Sequence, residues 1–145
     1  MCEIVTILGR PQGKQRVRVV KCNGRIHSYT PKETINYEQE IKTTYKALNN
    51  PNFGSKPVSL YILATYPIPK NFPKKKKEMC LEEEIYPCVK PDMDNVVKIV
   101  SDALNGVAYC DDKQVVQVLA RKVYGLEAKL EILVEELSDG RCFNL

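Results

Sequence analysis

Two aspartates two positions apart, Asp92 and Asp94, stand just before an apolar helical pattern, and Lys98 follows at one turn. A second acidic pair, Asp111–Asp112, comes where that helix should already have stopped. Carboxylates gathered at one point raise each other's pKa unless a cation neutralises them. A ligand set made only of oxygens suits Mg²⁺, with Mn²⁺ as a substitute, better than Zn²⁺. A lysine beside such a set can contact a phosphate or stabilise charge that develops on it. The chemistry these residues point to is a divalent-cation-assisted reaction at a phosphate.

The positioning element is the helix itself. Val96, Val97, Val100, Ala103 and Leu104 recur at helical spacing, and Asn95, Lys98, Asp102 and Asn105 occupy the opposite, polar face. Pro91 biases Lys90 toward an extended backbone, so the spacing predicts a helix that starts near Asp94. Asn105–Gly106 is a stop signal. Carboxylates at the helix N-terminus are favoured in their ionised form by the macrodipole. Asp102 lies one turn beyond Lys98, the spacing of a supporting ion pair. A helix of eleven residues is about 16 Å long. The eight residues from Asn105 to Asp112 reach up to about 26 Å, so Asp112 can return to Asp92 and Asp94, although nothing in the spacing requires it.

The run KPDMDNVVKIVSDALNG followed by YCDDKQV, Lys90 to Val115, resembles the signature of the RusA-like Holliday-junction resolvases. GRPQGKQRVRV and YTPKET nearer the N-terminus are similar to that family too, so the resemblance covers most of the chain. These are small metal-dependent endonucleases of phages and prophages that act in DNA recombination and repair. Carried over residue by residue, the resemblance implies Asp92, Asp94, Lys98 and Asp112 as catalytic residues. Asp92, Asp94 and Asp112 would then hold the metal; Asp111, Asp102 and Asn95, read from their places beside these residues, are expected as supporting groups. It further implies four-way and other branched DNA as partner, and a homodimer, since two symmetric cuts call for two equivalent sites. The stretch between Pro69 and Pro87 departs from the shorter members of the family. There 78–88 reads as the edge of a lysine- and glutamate-rich insertion, and no role is carried over to it.

Cys2–Leu8 reads as a strand. Lys14, Arg16 and Arg18 alternate with Gln15, Val17 and Val19, so in an extended chain the three cations project from one face. That pattern suits either a solvated edge strand or a DNA-backbone contact, and the resemblance selects the latter. Lys21 and Arg25, flanking an Asn23–Gly24 turn, continue the basic surface. Thr30–Pro31–Lys32–Glu33 reads as a capping box opening a helix that ends at Asn49–Asn50–Pro51. Its stripe of Tyr37, Ile41, Tyr45 and Leu48 is read as core rather than as a base-stacking surface. Val58–Tyr66 is apolar enough for a central strand.

Pro73 can open a short helix carrying Lys74, Lys75, Lys76 and Lys77. Those lysines make either a solvated face or a basic flap over DNA, and Lys90 adds a further phosphate contact. Val115–Val123 and the alternating stretch 128–135 predict a hairpin over 115–136, and 138–145 reads as a tail.

At 145 residues the chain fits one domain over 1–145. The fold class expected is α+β, with a small mixed β-sheet packed against two main helices. With 43% hydrophobic and 28% charged residues the composition is that of a soluble protein. The net charge of +4 does not by itself argue for DNA. No run is long enough to span a membrane and no signal peptide is evident, so a cytoplasmic location is expected.

The six cysteines form no C-x-x-C pair and His27 stands alone, which argues against a structural zinc site and predicts free thiols. A calcium loop fails because Val97 and Ala103 occupy the glycine and glutamate positions. A D-x-D sugar transferase fails on length. The rival reading is a non-catalytic branched- or duplex-DNA-binding module of phage origin. It leaves unexplained why aspartates, which repel phosphate, are concentrated there.

Overall fold

The strand Val58–Pro67 (β4) is the axis of the molecule. In the computed structural model, which describes residues 2–137, it is paired on both sides within a four-stranded sheet of order β1-β6-β4-β5. Here β1 is Val5–Leu8, β5 is Val115–Gly125 and β6 is Lys129–Glu136. β6 runs antiparallel to both β1 and β4, whereas β5 runs parallel to β4. The alternate residues Val58, Leu60, Ile62, Ala64 and Tyr66 are almost wholly buried beneath the helices. Each large aliphatic side chain buried in this way contributes roughly 1.5–3 kcal/mol.

Two helices cover that face. α1, Lys32–Ala47, buries Thr34, Tyr37, Ile41 and Tyr45, so its tyrosines are core as expected. α3, Met93–Ala103, buries Val96, Ile99, Val100, Ser101 and Ala103. The chain leaves α3 through Leu104, and Gly106 takes up φ +78°, a conformation that only glycine adopts without a Cβ penalty. A third, short helix, α2 (Lys74–Leu81), rests against β5 through buried Cys80 and an edge-on contact between Phe72 and Tyr124. β2 (Arg18–Cys22) and β3 (Arg25–Tyr29) form a separate two-stranded ribbon.

Several expectations are corrected. The hairpin over 115–136 does not form. β5 and β6 are consecutive, but β4 lies between them and hydrogen-bonds to both. Leu126–Ala128 steps over the end of β4, a gap of two strand spacings or about 9.6 Å, which three residues can bridge. The Thr30–Glu33 capping box is absent because Pro31, not Thr30, is the N-cap, and it has no side-chain acceptor. The first strand is shorter than Cys2–Leu8, and β2 begins only at Arg18, so Lys14 and Arg16 precede it. Cys2, Cys22, Cys80, Cys88 and Cys110 are free thiols. Cys142 and the expected tail 138–145 lie outside the described residues.

Candidate active site

α3 starts where the sequence places it, with Asp92 as N-cap. The Asp92 carbonyl accepts from the amides of Asn95 and Val96, at 3.1 Å each, while its carboxylate makes no capping bond and stays exposed. Asp94, Lys98 and Asp102 follow one another at steps of one turn along the helix. Lys98 Nζ stands 3.0 Å from Asp102 Oδ1 and 3.9 Å from Asp112 Oδ2. Lys98 therefore links α3 to Asp112, which meets the helix at Lys98.

That return is built by a few fixed bonds. The Tyr109 hydroxyl donates to the Ser101 carbonyl at 2.7 Å. The Gly106 amide donates to the Tyr109 carbonyl at 2.7 Å. The Gln114 side-chain amide donates to the carbonyls of Gly54 and Lys56, at 2.5 and 2.9 Å. Asp111 and Gln114 then close a capping box around the single 3₁₀ turn Asp112–Gln114, with the Lys113 amide 3.1 Å from Asp111 Oδ1.

The two neighbouring aspartates thus differ in role. Asp111 is spent on the cap, and the bond from the Lys113 backbone, followed by one involving Asp112, holds its carboxyl below the usual range. Asp112 is pushed above the usual range by its hydrogen bond with Asp111 and by burial, against the pull of Lys98.

A cleft of about 1030 Å³ runs beside the N-terminus of α3. Its walls carry Lys90, Asp92 and Asn95 on one side and the segment Leu8–Arg18 on the other, with Glu33, Tyr37 and Glu40 from α1. Five cations, Arg10, Lys14, Arg16, Arg18 and Lys90, face three carboxylates in this lining. The basic segment is pinned at Gly13. A Cβ there would come within 2.7 Å of the Pro91 Cβ and 3.0 Å of the Asn95 Cβ, so only glycine allows this approach. The contact lets the Lys14 amide donate to the Asn95 carbonyl at 2.8 Å.

Lys14 consequently does not project beside Arg16 and Arg18. It bonds Glu38 and stands 3.3 Å from Asp102, which places it between α1 and α3. Burial lowers its pKa, but the bonds and charges of Glu38 and Asp102 outweigh that, and the net shift is upward. Lys74, Lys75 and Lys76 are exposed on α2, and none of Lys74–Lys77 lines the cleft.

Three further residues, without a role in the sequence reading, hold the loop that delivers Asp92. Lys122 Nζ bonds the Val89 carbonyl and lies 3.0 Å from that of Pro91. Arg10 Nη2 lies 3.3 Å from the Lys90 carbonyl. Both cations sit over the Tyr66 ring, at 5.2 and 5.5 Å from its centroid. The only sequence signal was Arg10's place in GRPQGK. Nothing local marks Lys122, which reaches the loop from β5.

Among the described residues no three His, Cys, Asp or Glu side chains converge at metal-ligand spacing. Asp92 and Asp94 stand at the start of α3, while Asp112 is reached further along it, through Lys98. Their chemistry nevertheless fits a hard divalent cation. Every donor is a carboxylate oxygen, and the Asp92 carboxylate is not used as a cap.

Comparison with known proteins gives a matching context. The profile of the family described as "Endodeoxyribonuclease RusA" matches residues 9–135. A protein of Bacillus subtilis (strain 168), described as "Uncharacterized protein YqaN", is 34% identical over 139 residues, covering 94% of this chain and 98% of its own. The matched residues span the cleft, the Asp92–Lys98 turn and the Asp111–Asp112 return, and the chain belongs to the RusA endodeoxyribonuclease family.

Proposed function

We propose that this protein is a Mg²⁺-dependent endonuclease that resolves four-way DNA junctions by hydrolysing phosphodiesters. The observation that carries the reading is Lys98. It lies between Asp102 of α3 and the returning Asp112, on the same helix whose N-terminus brings Asp92 to a cation-lined cleft. That contact sets Asp112 beside the helix that carries Asp92 and Asp94.

In this reading Asp92, Asp94 and Asp112 hold the cation, Mg²⁺ or Mn²⁺, which when bound lowers the pKa of a water and offsets charge on the phosphate. Lys98 presents its ammonium to the scissile phosphate, oriented by Asp102. Asp111 keeps Asp112 in place through the 3₁₀ cap, and Asn95 supports the cleft wall. Lys14 neutralises Asp102, which leaves Arg16, Arg18 and Lys90 to meet phosphates. Lys74–Lys77 add an outer contact from α2.

Two symmetric cuts are supplied by a homodimer. The sheet face opposite α1 and α3 suits that pairing, since Tyr61, Leu63, Leu119 and Leu133 line an apolar groove of about 320 Å³. Light scattering at assay concentration is expected to report twice the chain mass.

The deciding test is cleavage of a synthetic four-way junction beside a linear duplex of the same sequence, with Mg²⁺ and with EDTA. Symmetric nicking of the junction alone, abolished by EDTA, is expected. Tight binding without cutting in Mg²⁺ or Mn²⁺ would instead identify a non-catalytic DNA-binding module.

A further inference from the structure

Among the described residues nothing covers the β2–β3 ribbon. All ten residues of its strands are exposed, including Val19 at 66% and Ile26 at 74%, and among the described residues its strands pair only with each other. A two-stranded ribbon is at best marginally stable in water, so an occupant that covers it is to be expected.

Charge identifies the occupant. From Ile4 to Lys32 the chain contains no Asp or Glu, yet it contains Arg10, Lys14, Arg16, Arg18, Lys21, Arg25 and Lys32. Since the whole chain carries +4, these seven cations leave 4 − 7 = −3 for the rest. Lys14 is paired with Glu38 and Asp102, but the ribbon itself carries Arg18, Lys21 and Arg25 and no carboxylate. Two like-charged ribbons repel each other, whereas a polyanion is drawn in.

Register identifies the face. Arg18 pairs with Tyr29, Val20 with His27, and Cys22 with Arg25, so these six side chains share one side of the ribbon. The other side bears Val19, Lys21, Ile26 and Ser28. Arg18 also lines the cleft, so its side is continuous with the candidate active site. Two strands about 4.8 Å apart, with their side chains, match a major groove about 12 Å wide. The arginines lie four register steps apart, about 13 Å, or about four base pairs at 3.4 Å each.

We infer that the β2–β3 ribbon seats its Arg18/Arg25/His27/Tyr29 face in the major groove of one duplex arm while the cleft receives the strand to be cut. This deepens the endonuclease reading and rests on it.

The test is dimethyl sulfate footprinting of a four-way junction bound by the full chain in EDTA. Guanine N7 atoms, which lie in the major groove, are expected to be protected on an arm next to the branch. The double variant Arg18→Ala/Arg25→Ala is expected to lose that protection and to bind about 10-fold or more weakly. Val19→Ser, on the opposite side, is expected to change affinity less than about twofold, and circular dichroism melting checks that both variants are folded.

A bound, cleavable junction with bare N7 atoms would overturn the ribbon assignment and leave the nuclease standing. So would protection that survives the double variant, or a double variant that changes the chain's mass in solution instead of its DNA affinity. A wild-type chain that binds no junction at all would overturn both.

Discussion

Lys122 of β5 holds its ammonium 3.0 Å from the carbonyl oxygen of Pro91 and also bonds that of Val89. A cation on the sheet thereby fixes the loop whose next residue is Asp92. Replacing Lys122 with Met keeps the aliphatic stem but releases two carbonyls. Cleavage of a four-way junction by Lys122→Met is expected to fall about 10- to 100-fold, with a raised half-saturating Mg²⁺ concentration. Lys122→Arg should recover much of the loss. A Met variant with an unchanged Mg²⁺ curve would show that the loop does not depend on this clamp.

Asp92 and Asp94 separate chemistry from binding. Asp92→Asn or Asp94→Asn preserves shape but removes charge that a cation needs. Cleavage is expected to fall on the order of 10³-fold. Junction affinity should stay level or rise, because negative charge facing phosphate is gone. Gel-shift and cleavage assays on the same variants check both halves.

Asp111 and Asp112 should respond in opposite ways, although they are neighbours. Asp112→Asn is expected to abolish cleavage with little change in melting temperature. Asp111→Ala removes the cap of the 3₁₀ turn and should lower the unfolding midpoint, with Asp111→Asn restoring most of it. Urea unfolding beside single-turnover cleavage distinguishes the two. Equal loss of activity in Asp111→Asn and Asp112→Asn would show the pair acting as a unit.

The Lys14 ion pairs set a pH dependence. The folded-state pKa of Lys14 lies above that of a free lysine, because Glu38 and Asp102 outweigh the effect of burial. A group raised on folding contributes stability in full below its unfolded pKa, and loses it as pH rises through the folded value. Wild type is therefore expected to exceed Lys14→Met by about 1–2 kcal/mol throughout the neutral range. The difference should shrink only above the usual lysine range. Urea unfolding of both chains from neutral to strongly alkaline pH measures it, and a difference already fading near neutrality would contradict the sign.

What could be read from the sequence follows from how local each cause is. α3 and α1 were legible because apolar residues at helical spacing need only a sheet to cover, and β4 because its apolar run admits only a central place. The Lys98–Asp102 pair was legible as one helical turn. The hairpin over 115–136 was not, because its alternation says which side of a strand is buried and nothing about its neighbour. Lys14 looked like part of a basic stripe because its true partners, Glu38 and Asp102, are brought to it by the docking of Gly13 on Pro91 and Asn95. Tyr66, Arg10 and Lys122 come from three separate stretches, and only the folded sheet collects them.

The pairing of β1 with β6 has a consequence for the order of assembly. Val5 faces Ile132 across the ladder, so the paired residues are 132 − 5 = 127 positions apart in sequence. Contacts of such long range form slowly, since a large loop must close before they yield anything. During synthesis β1 has no ladder partner until β6 has been made. The basic segment that follows β1 has its partners sooner, because Lys90, Pro91 and Asn95 all precede β6.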